Sequence, residues 1–302
     1  MNVLEIKDVY KSLGKMEIIK GISLSVAGGE IFGFLGPNGA GKTTTIKMMV
    51  GLIYPDKGSI HIDGVNIIED GNAARNKIGA VVENPEMYNY LSGMANLKII
   101  AEIRKISQKD IDDVVELVKL SERINDKVGK YSLGMKQRLG LACSLLSKPK
   151  LLILDEPTNG LDPSGIIEFR NIIKQTVKET GTTVFISSHI LSEVQQLCTS
   201  VAFIDNGEIK AIESISQNNN ENETETLCIK TGSINQVLDV LQSIDSVQKV
   251  FQQEFEYTVV TQKNASAKII KKLIESNIDV YEVFKKYDSL EQRYMELVEG
   301  GN

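Results

Sequence analysis

One nine-residue stretch near the N-terminus has the spacing of a phosphate-binding loop. It fits the pattern G-x-x-x-x-G-K-[ST], in which the lysine reaches the β- and γ-phosphates and the next hydroxyl reaches Mg²⁺. Glycines let backbone N–H groups approach phosphate oxygens closely, and a helix N-terminus adds partial positive charge. The stretch therefore predicts a nucleotide site in which Lys42 contacts phosphate and Thr43 contacts the metal. Its residues are Gly36, Pro37, Asn38, Gly39, Ala40, Gly41, Lys42, Thr43 and Thr44.

The residues on either side of this loop predict the strand and the helix that it needs. Residues 31–35, Ile-Phe-Gly-Phe-Leu, form a short apolar run suited to a buried strand. Residues 43–50 carry apolar side chains at helical spacing, and Gly51 follows as a stop signal. A glycine-rich turn with a solvated lysine is the alternative, and the strand–loop–helix context makes it the weaker interpretation.

A second stretch supplies two carboxylates at the end of a hydrophobic strand. Hydrolysis of a γ-phosphate needs a metal, charge stabilisation and a positioned water. The run Leu-Leu-Ile-Leu at 151–154 predicts a buried strand, and Asp155 and Glu156 follow it directly. Asp155 is placed to hold Mg²⁺ through its water shell, and Glu156 is a candidate general base. Two acids in water at a strand end are the alternative, which the phosphate loop disfavours.

Strands that alternate with helices predict a mostly parallel α/β sheet for most of the chain. The first thirty residues instead alternate apolar and polar side chains, which favours an antiparallel β subdomain. A helical subdomain is predicted at about 86–146, and Asp110 is placed to cap one of its helices. Apolar runs typical of buried strands recur at 78–82, 151–154, 183–186 and 201–204.

A polar segment separates this α/β region from a second, smaller unit. Residues 214–226 include Gln-Asn-Asn-Asn-Glu-Asn-Glu and have almost nothing to bury, which predicts a linker or exposed loop. Beyond it, 227–302 reads as strand, helix, two paired strands, helix and strand. That order suggests a small ferredoxin-like α+β domain finished by a helix at 290–298. The predicted domains are therefore 1–213 and 227–302, joined by the linker.

Composition argues against several other classes of protein. No apolar run approaches the roughly 20 residues of a membrane helix, and residues 1–7 lack the charged-then-apolar pattern of a signal peptide. Cys143, Cys198 and Cys228 are too scattered for a disulfide frame or a zinc site, so a reducing cytosol fits best. A net charge of −6 without a dense Lys/Arg cluster argues against nucleic acid as the main partner.

With these motifs in their observed order, the chain resembles the ATP-binding subunit of ABC transporters over residues 1–213. Ser132 begins Ser-Leu-Gly-Met-Lys-Gln-Arg-Leu, which looks like the signature segment that leads into its helix. Residues 159–163, Asn-Gly-Leu-Asp-Pro, look like the loop after the catalytic acid. His189 follows a strand, as the family's switch histidine does, although a core or capping histidine is the default interpretation of that residue alone. The resemblance implies a P-loop NTPase fold that binds ATP and Mg²⁺.

The resemblance also implies a site shared between two subunits. Two copies pair head-to-tail, and ATP lies between the phosphate loop of one and the signature of the other. Glu156 polarises the attacking water, and His189 bridges the γ-phosphate and the Asp162 region of the partner subunit. The second subunit contacts the nucleotide through its signature residues Ser132, Leu133, Gly134 and Met135.

Two motifs depart from the family pattern. Glu83 stands where glutamine is usual, so it keeps an oxygen for Mg²⁺ but adds negative charge beside the phosphates. We assign it a catalytic and a metal-binding role. In the signature, Leu133 and Met135 replace the usual glycine and glutamine, which leaves Ser132 and Gly134 as the matched contacts.

The aromatic residue that stacks on adenine in the family is displaced in this chain. Alignment places Leu13 at that position, with Tyr10 three residues earlier. Tyr10 could stack on adenine instead, and a packed strand tyrosine explains the residue equally well. Both residues are therefore candidates for the adenine contact.

The resemblance implies two protein partners and a location. A second ATP-binding subunit, identical or different, completes the site, and the helical stretch receives a helix from a separate membrane permease. The chain would then be cytoplasmic and peripheral on the inner face of the membrane. Its C-terminal tail and the sequence at 83–85 look most like the bacitracin and lantibiotic export branch. That branch implies a drug, an antimicrobial peptide or a lipid-like molecule as the transported substrate.

Two other classes of function stay open at this stage. A soluble ATPase of the same superfamily could act on ribosomes or DNA without a permease, but such proteins usually carry two ATPase halves or a long coiled coil. A regulatory module could hold ATP without turnover, but Lys42, Asp155, Glu156 and His189 are all present. An exporter ATPase is the preferred hypothesis.

Overall fold

The computed structural model describes residues 1–83, 86–215, 224–232 and 236–285. Residues 84–85 and the helix predicted at 290–298 lie outside this part of the chain. The chain divides into two compact units, Met1–Ile215 and Ser216–Asn302.

Strands and helices alternate through most of the first unit. In chain order its elements are β1 (Asn2–Leu13), β2 (Met16–Ala27), β3 (Ile31–Leu35), α1 (Lys42–Met49), β4 (Lys57–Ile62), β5 (Val65–Asn66), α2 (Gly71–Asn76), β6 (Ile78–Val81), α3 (Gly93–Arg104), α4 (Gln108–Leu117), a 3₁₀ helix (Val128–Lys130), α5 (Leu133–Leu145), β7 (Leu151–Asp155), α6 (Pro163–Thr180), β8 (Thr183–Ser188), α7 (Leu191–Leu197), β9 (Ser200–Asp205) and β10 (Glu208–Ser214).

A six-stranded sheet with the order β10-β9-β3-β8-β7-β6 forms the centre of this unit. Its ladders are parallel except the one between β9 and β10. Every residue of β3, β7 and β8 is buried, as expected of parallel strands covered on both faces. The sheet confirms the predicted mostly parallel α/β fold. Because parallel strands end at the same edge of a sheet, the loops after β3, β7 and β8 lie side by side there.

A second sheet, with the order β2-β1-β4-β5, is antiparallel throughout. It shares one hydrophobic core with α1 and the central sheet, to which Ile6, Ile22, Ile46, Phe34 and Phe185 contribute. The rings of Phe34 and Phe185 lie 5.3 Å apart, centre to centre. Full burial of such a side chain contributes about 1.5–3 kcal/mol, so this shared core fixes the N-terminal hairpin against the central sheet.

The helices α3, α4 and α5 occupy the region that the sequence predicts to be helical. Each begins after a serine, at positions 92, 107 and 132, whose hydroxyl accepts a hydrogen bond from a first-turn N–H group. The predicted cap at Asp110 is wrong, because Ser107 is the capping residue of α4. Ser107 Oγ accepts from the backbone N–H of Asp110 (3.2 Å) and donates to its carboxylate (2.7 Å). Asp110 is the third residue of α4, so its own N–H is one of the donors that the cap must satisfy.

The second unit is an antiparallel α+β structure. Its described elements are β11 (Thr224–Thr231), α8 (Val237–Gln242), β12 (Val247–Gln253), β13 (Glu256–Gln262), α9 (Ser266–Glu275) and β14 (Val280–Lys285). The strands pair in the order β12-β13-β11-β14, all antiparallel. Leu241 of α8 and Ile269 and Leu273 of α9 share a core with Tyr257 and Val259 of β13. The two helices therefore cover one face of the sheet.

The strands that flank the predicted linker are longer than the sequence indicated. β10 runs to Ser214 and β11 begins at Thr224, so both ends of the segment 214–226 are strand. Ser214 pairs with Ser200 of β9, and Thr224 pairs with Gln262 of β13. Threonine is β-branched and fits a half-buried strand, so polar composition alone placed this boundary wrongly.

Candidate nucleotide site

The predicted phosphate loop joins the end of β3 to the start of α1. Gly41 precedes α1 with φ +107°, and no side chain caps that helix, so its first-turn N–H groups lack a capping oxygen. A Cβ at Gly36 would lie 2.2 Å from the carbonyl oxygen of Ile204, which leaves no room for a side chain. At Gly39, with φ +83°, a Cβ would meet nothing within 4 Å. The loop is thus an open cradle of backbone donors that suits a phosphate.

Lys42, the first residue of α1, is folded back over this cradle. Its side chain is 5% exposed, and Nζ donates to the carbonyl oxygens of Gly36 (2.8 Å) and Pro37 (3.1 Å). Nζ also lies 3.2 Å from Oε1 of Glu156. A buried ammonium group needs such partners. They hold a positive charge at the loop, where a phosphate would be bound.

Asp155 and Glu156 follow one another at the end of β7, and Ser187 of β8 binds both. The Ser187 hydroxyl donates to Oδ1 of Asp155 (2.6 Å), and it accepts from the backbone N–H of Glu156 (3.0 Å). Ser187 is fully buried, and Asp155 is 5% exposed. Because a buried hydrogen bond to a charged group is strong, Ser187 orients the Asp155 carboxylate.

The carboxylate of Glu156 lies between a lysine and a histidine. Oε1 faces Lys42 Nζ at 3.2 Å, and Oε2 faces Nδ1 of His189 at 3.1 Å. The backbone of Glu156 has φ +46°, a left-handed conformation that costs a non-glycine residue roughly 1–3 kcal/mol. Surrounding contacts must hold such a conformation. The structure thus brings together three residues that the sequence assigned to hydrolysis.

Glu83 is connected to the helix that carries Thr43. Its Oε1 lies 2.8 Å from Nζ of Lys47, and Lys47 is four residues beyond Thr43 on α1. Residues four apart lie on one face of a helix. The ion pair between Glu83 and Lys47 therefore lies about one helical turn from Thr43. The backbone of Glu83 is also left-handed, with φ +62°.

The signature and the loop that follows Glu156 lie against each other. A Cβ at Gly160 would be 3.1 Å from Cδ2 of Leu133, and one at Gly134 would be 3.8 Å from Cδ2 of Leu161. Leu133 is 42% exposed. Ser132 precedes α5 and accepts from the backbone N–H of Met135 (3.2 Å).

Asp162 caps α6. Its carboxylate accepts from the Ser164 hydroxyl (2.5 Å) and from the backbone N–H of Gly165 (3.3 Å). The Ser164 hydrogen bond, aided by that of Gly165, holds the pKa of Asp162 below its ordinary value. Within the described residues, no hydrogen bond of Ser132 or Asp162 reaches the phosphate loop. Within one chain, the described hydrogen bonds therefore do not connect these two predicted site residues to the loop that carries Lys42.

The two candidates for the adenine contact lie in different surroundings. A Cβ at Gly21 of β2 would meet Oη of Tyr10 at 2.6 Å, so the tyrosine ring covers that glycine. The Lys57 ammonium lies 5.8 Å from the same ring. Leu13 pairs with Met16 at the end of the hairpin and is 50% exposed. Tyr10 packs over Gly21 and is still 37% exposed, so both residues remain accessible.

Comparison with known proteins decides the family. A family model described as ABC transporter matches residues 19–159. The chain is 44% identical to the uncharacterised ABC transporter ATP-binding protein YhcH of Bacillus subtilis, over 98% of this chain and 95% of that protein. The chain belongs to the ABC transporter family. This ABC ATPase is also 40% identical to the bacitracin transport ATP-binding protein BcrA of Bacillus licheniformis, over 99% of this chain and 98% of that one.

Among solved structures, an ATP-binding subunit of an ABC transporter is 29% identical to this ABC ATPase. The two match with a TM-score of 0.64 over 70% of this chain and 90% of that one. The predicted family, the binding of ATP and the ATPase activity are thereby confirmed. No helix in the described part of the ABC ATPase is long and apolar enough to cross a bilayer.

Sequence reasoning missed four residues that surround the motifs of this ABC ATPase. Lys47 pairs with Glu83 and Ser187 binds Asp155. The other two bond to each other beside the motifs. A hydroxyl two residues before the switch histidine was the signal for Ser187, and no local pattern marked the other three. The four are Lys47, Thr158, Ser187 and Glu193.

Proposed function

We propose that this ABC ATPase hydrolyses ATP at a site completed by a second ATP-binding subunit. The observation that carries the proposal is the position of the Glu156 carboxylate, which lies between the phosphate-loop Lys42 and the switch His189. Ser132 and Asp162 make their contacts elsewhere in the chain. A head-to-tail pair would supply the signature Ser132, Leu133, Gly134 and Met135 to the γ-phosphate from the second subunit.

The donor set fits Mg²⁺ bound together with ATP. Mg²⁺ prefers oxygen ligands and keeps several waters while it binds nucleotide phosphates. Thr43 offers a hydroxyl, and Asp155 offers a carboxylate whose Oδ1 is held by Ser187. The described residues contain no group of three or more His, Cys, Asp or Glu that could hold a metal by itself. Bound Mg²⁺ would neutralise phosphate charge, and Glu83 would add an oxygen from beside Lys47.

Each residue of the cluster has a definite task in hydrolysis. Lys42 holds the β- and γ-phosphates through its buried ammonium group. Glu156 accepts a hydrogen bond from the attacking water and takes its proton as charge moves toward the phosphate. His189 sets the direction of the Glu156 carboxylate and reaches the γ-phosphate. The adenine would lie over the hairpin beside Leu13, which is 50% exposed.

A separate permease would dock on the helical region. A groove lies between the end of β6 and α5, lined by Val81, Glu83, Met87, Gly140 and Cys143. The groove includes Glu83, so a helix seated in it would be mechanically connected to α1 through Lys47. The ABC ATPase would then be peripheral on the inner face of the membrane. That connection couples the nucleotide to transport.

The transported substrate is proposed to be a drug, an antimicrobial peptide or a lipid-like molecule. BcrA, whose name records bacitracin transport, matches 99% of this chain, which includes the second unit. Strand order β12-β13-β11-β14 with two helices on one face supports the ferredoxin-like assignment of that unit. A shared accessory unit supports the export branch more strongly than a shared ATPase unit would.

Co-expression with a candidate permease, a membrane protein encoded by a neighbouring gene, tests this function. In a bacitracin-sensitive host, the pair should raise the inhibitory concentration of bacitracin or of a lantibiotic, and the permease should co-purify with the ATPase. The Glu156→Gln variant should still co-purify but should confer no resistance. If the wild-type pair changes resistance to neither compound class, the proposed substrate is wrong. If no membrane protein co-purifies, the permease assignment fails.

A further inference from the structure

A carboxylate outside the known motifs lies between the two loops that carry Glu156 and His189. Glu193 is in the first turn of α7, and its Oε2 accepts a hydrogen bond from Oγ1 of Thr158 at 2.5 Å. The same oxygen lies 3.5 Å from Oγ of Ser188, a longer and weaker contact. Thr158 is two residues beyond Glu156, and Ser188 directly precedes His189. One oxygen therefore connects both loops.

The surroundings of this contact strengthen it. Thr158 is 8% exposed, and Glu193 is half-buried. The small cavity around them is lined mainly by apolar side chains, with Arg170 at the same wall. A hydrogen bond to a charged group is worth more in such a setting, and its loss leaves a buried polar group unpaired. The apolar lining residues are Ile166, Ile186, Val194 and Leu197.

Glu156 needs support on both sides because its backbone is left-handed, with φ +46°. Before it, the strands β7 and β8 are joined by the Ser187 hydroxyl, which accepts from the N–H of Glu156 at 3.0 Å. After it, the strands have ended, and Thr158 is bonded to Glu193 instead. A strained residue persists only when neighbouring contacts determine it. The Thr158–Glu193 bond supplies the second of these contacts.

We propose that Glu193 is a positioning residue for hydrolysis, which ties the loop of Glu156 to the loop of His189 through Thr158 and Ser188. Its task is to keep the Glu156 carboxylate 3.1 Å from the His189 ring, ready for the attacking water. The inference rests on the catalytic role proposed above for Glu156. We expect nucleotide binding not to depend on Glu193, because Lys42 is held by the carbonyl oxygens of the phosphate loop.

Steady-state ATPase kinetics of the full chain test this role. Glu193→Ala and Thr158→Val should each lower kcat by about tenfold and leave KM for ATP within about twofold. Glu193→Gln keeps an oxygen that can accept from Thr158, and Thr158→Ser keeps the hydroxyl, so both should retain at least about half of wild-type kcat. The double variant Glu193→Ala/Thr158→Val should be no slower than the slower single variant, because both remove one bond.

Ser192→Ala is the matched control, since Ser192 is exposed and directly precedes Glu193 on the same helix. It should leave kcat and KM unchanged. Wild-type kcat in a folded Glu193→Ala variant overturns the inference, and so does a Glu193→Gln variant as slow as Glu193→Ala. If Glu193→Ala does not fold, wild-type kcat in Thr158→Val overturns it instead. Full turnover by Glu156→Gln would be a separate failure, that of the proposed base.

Discussion

Oε2 of Glu156 lies 3.1 Å from Nδ1 of His189, although the two residues are 33 positions apart in the chain. They meet because β7 and β8 are adjacent parallel strands that pair Asp155 with Ser187. Each residue directly follows its strand, at the same edge of the sheet. The proposed roles of Glu156 and His189 in hydrolysis depend on that adjacency.

Replacement of the candidate base should separate ATP binding from ATP hydrolysis. Glu156→Gln removes the carboxylate that we propose takes the proton of water, and general-base catalysis contributes about 100- to 10,000-fold. We expect kcat to fall by at least about 100-fold while ATP holds two subunits together. Phosphate release measures the first effect, and size-exclusion chromatography with ATP and with ADP measures the second. Full turnover by this variant would contradict the base assignment.

A bulky residue at the signature should block hydrolysis without preventing ATP binding to the monomer. Ser132→Arg fills the surface that a head-to-tail partner would bring to the γ-phosphate. Ser107→Arg is the matched control, because both serines cap a helix through a first-turn N–H at 3.2 Å. We expect a fluorescent ATP analogue to bind all three proteins, and only Ser132→Arg to lose turnover. Equal turnover in both variants would exclude the sandwich arrangement.

The carboxylate of Glu83 should set the Mg²⁺ requirement of this enzyme. A carboxylate binds Mg²⁺ more tightly than an amide does, so Glu83→Gln should raise the Mg²⁺ concentration for half-maximal turnover by about two- to tenfold. Lys47→Met is the companion variant, which frees Glu83 from its ion pair at 2.8 Å and should lower that concentration. A Mg²⁺ titration of turnover measures both. An unchanged midpoint in Glu83→Gln would remove Glu83 from the metal site.

Two glycines of the phosphate loop should each lose stability on replacement by alanine, for different reasons. At Gly36 a Cβ would lie 2.2 Å from the carbonyl oxygen of Ile204, and such overpacking costs about 1–3 kcal/mol of unfolding free energy. At Gly39 space is open, and only the left-handed φ of +83° opposes the change, at about 1–2 kcal/mol. Urea unfolding measures both variants. Similar stability of Gly36→Ala and wild type would show that the close approach is relaxed.

Much of the candidate site was predictable because its chemistry is local in sequence. The phosphate loop carries its lysine, hydroxyl and glycines within nine residues, and Asp155 and Glu156 end one apolar strand. Strand prediction worked where continuous apolar runs are buried on both faces, as in β7 and β8. It was weakest where polar residues form strand, as at Thr224. The cap of α4 was misplaced because Ser107 and Asp110 are both capping residue types.

By itself, the sequence determined the family, the nucleotide and the residues of each motif. Each motif is a contiguous run, and its residue types and their spacing specify the chemistry. The tertiary structure decided which other residues contact and support these motifs. Ser187 reaches Asp155 only through the register of β7 and β8, and Glu193 reaches Thr158 across 35 positions of chain. The ring of Tyr10 covers Gly21 because β1 and β2 pair as they do. Such contacts depend on which strands are neighbours and on how they are aligned, so the partner of a side chain cannot be identified from its own segment alone.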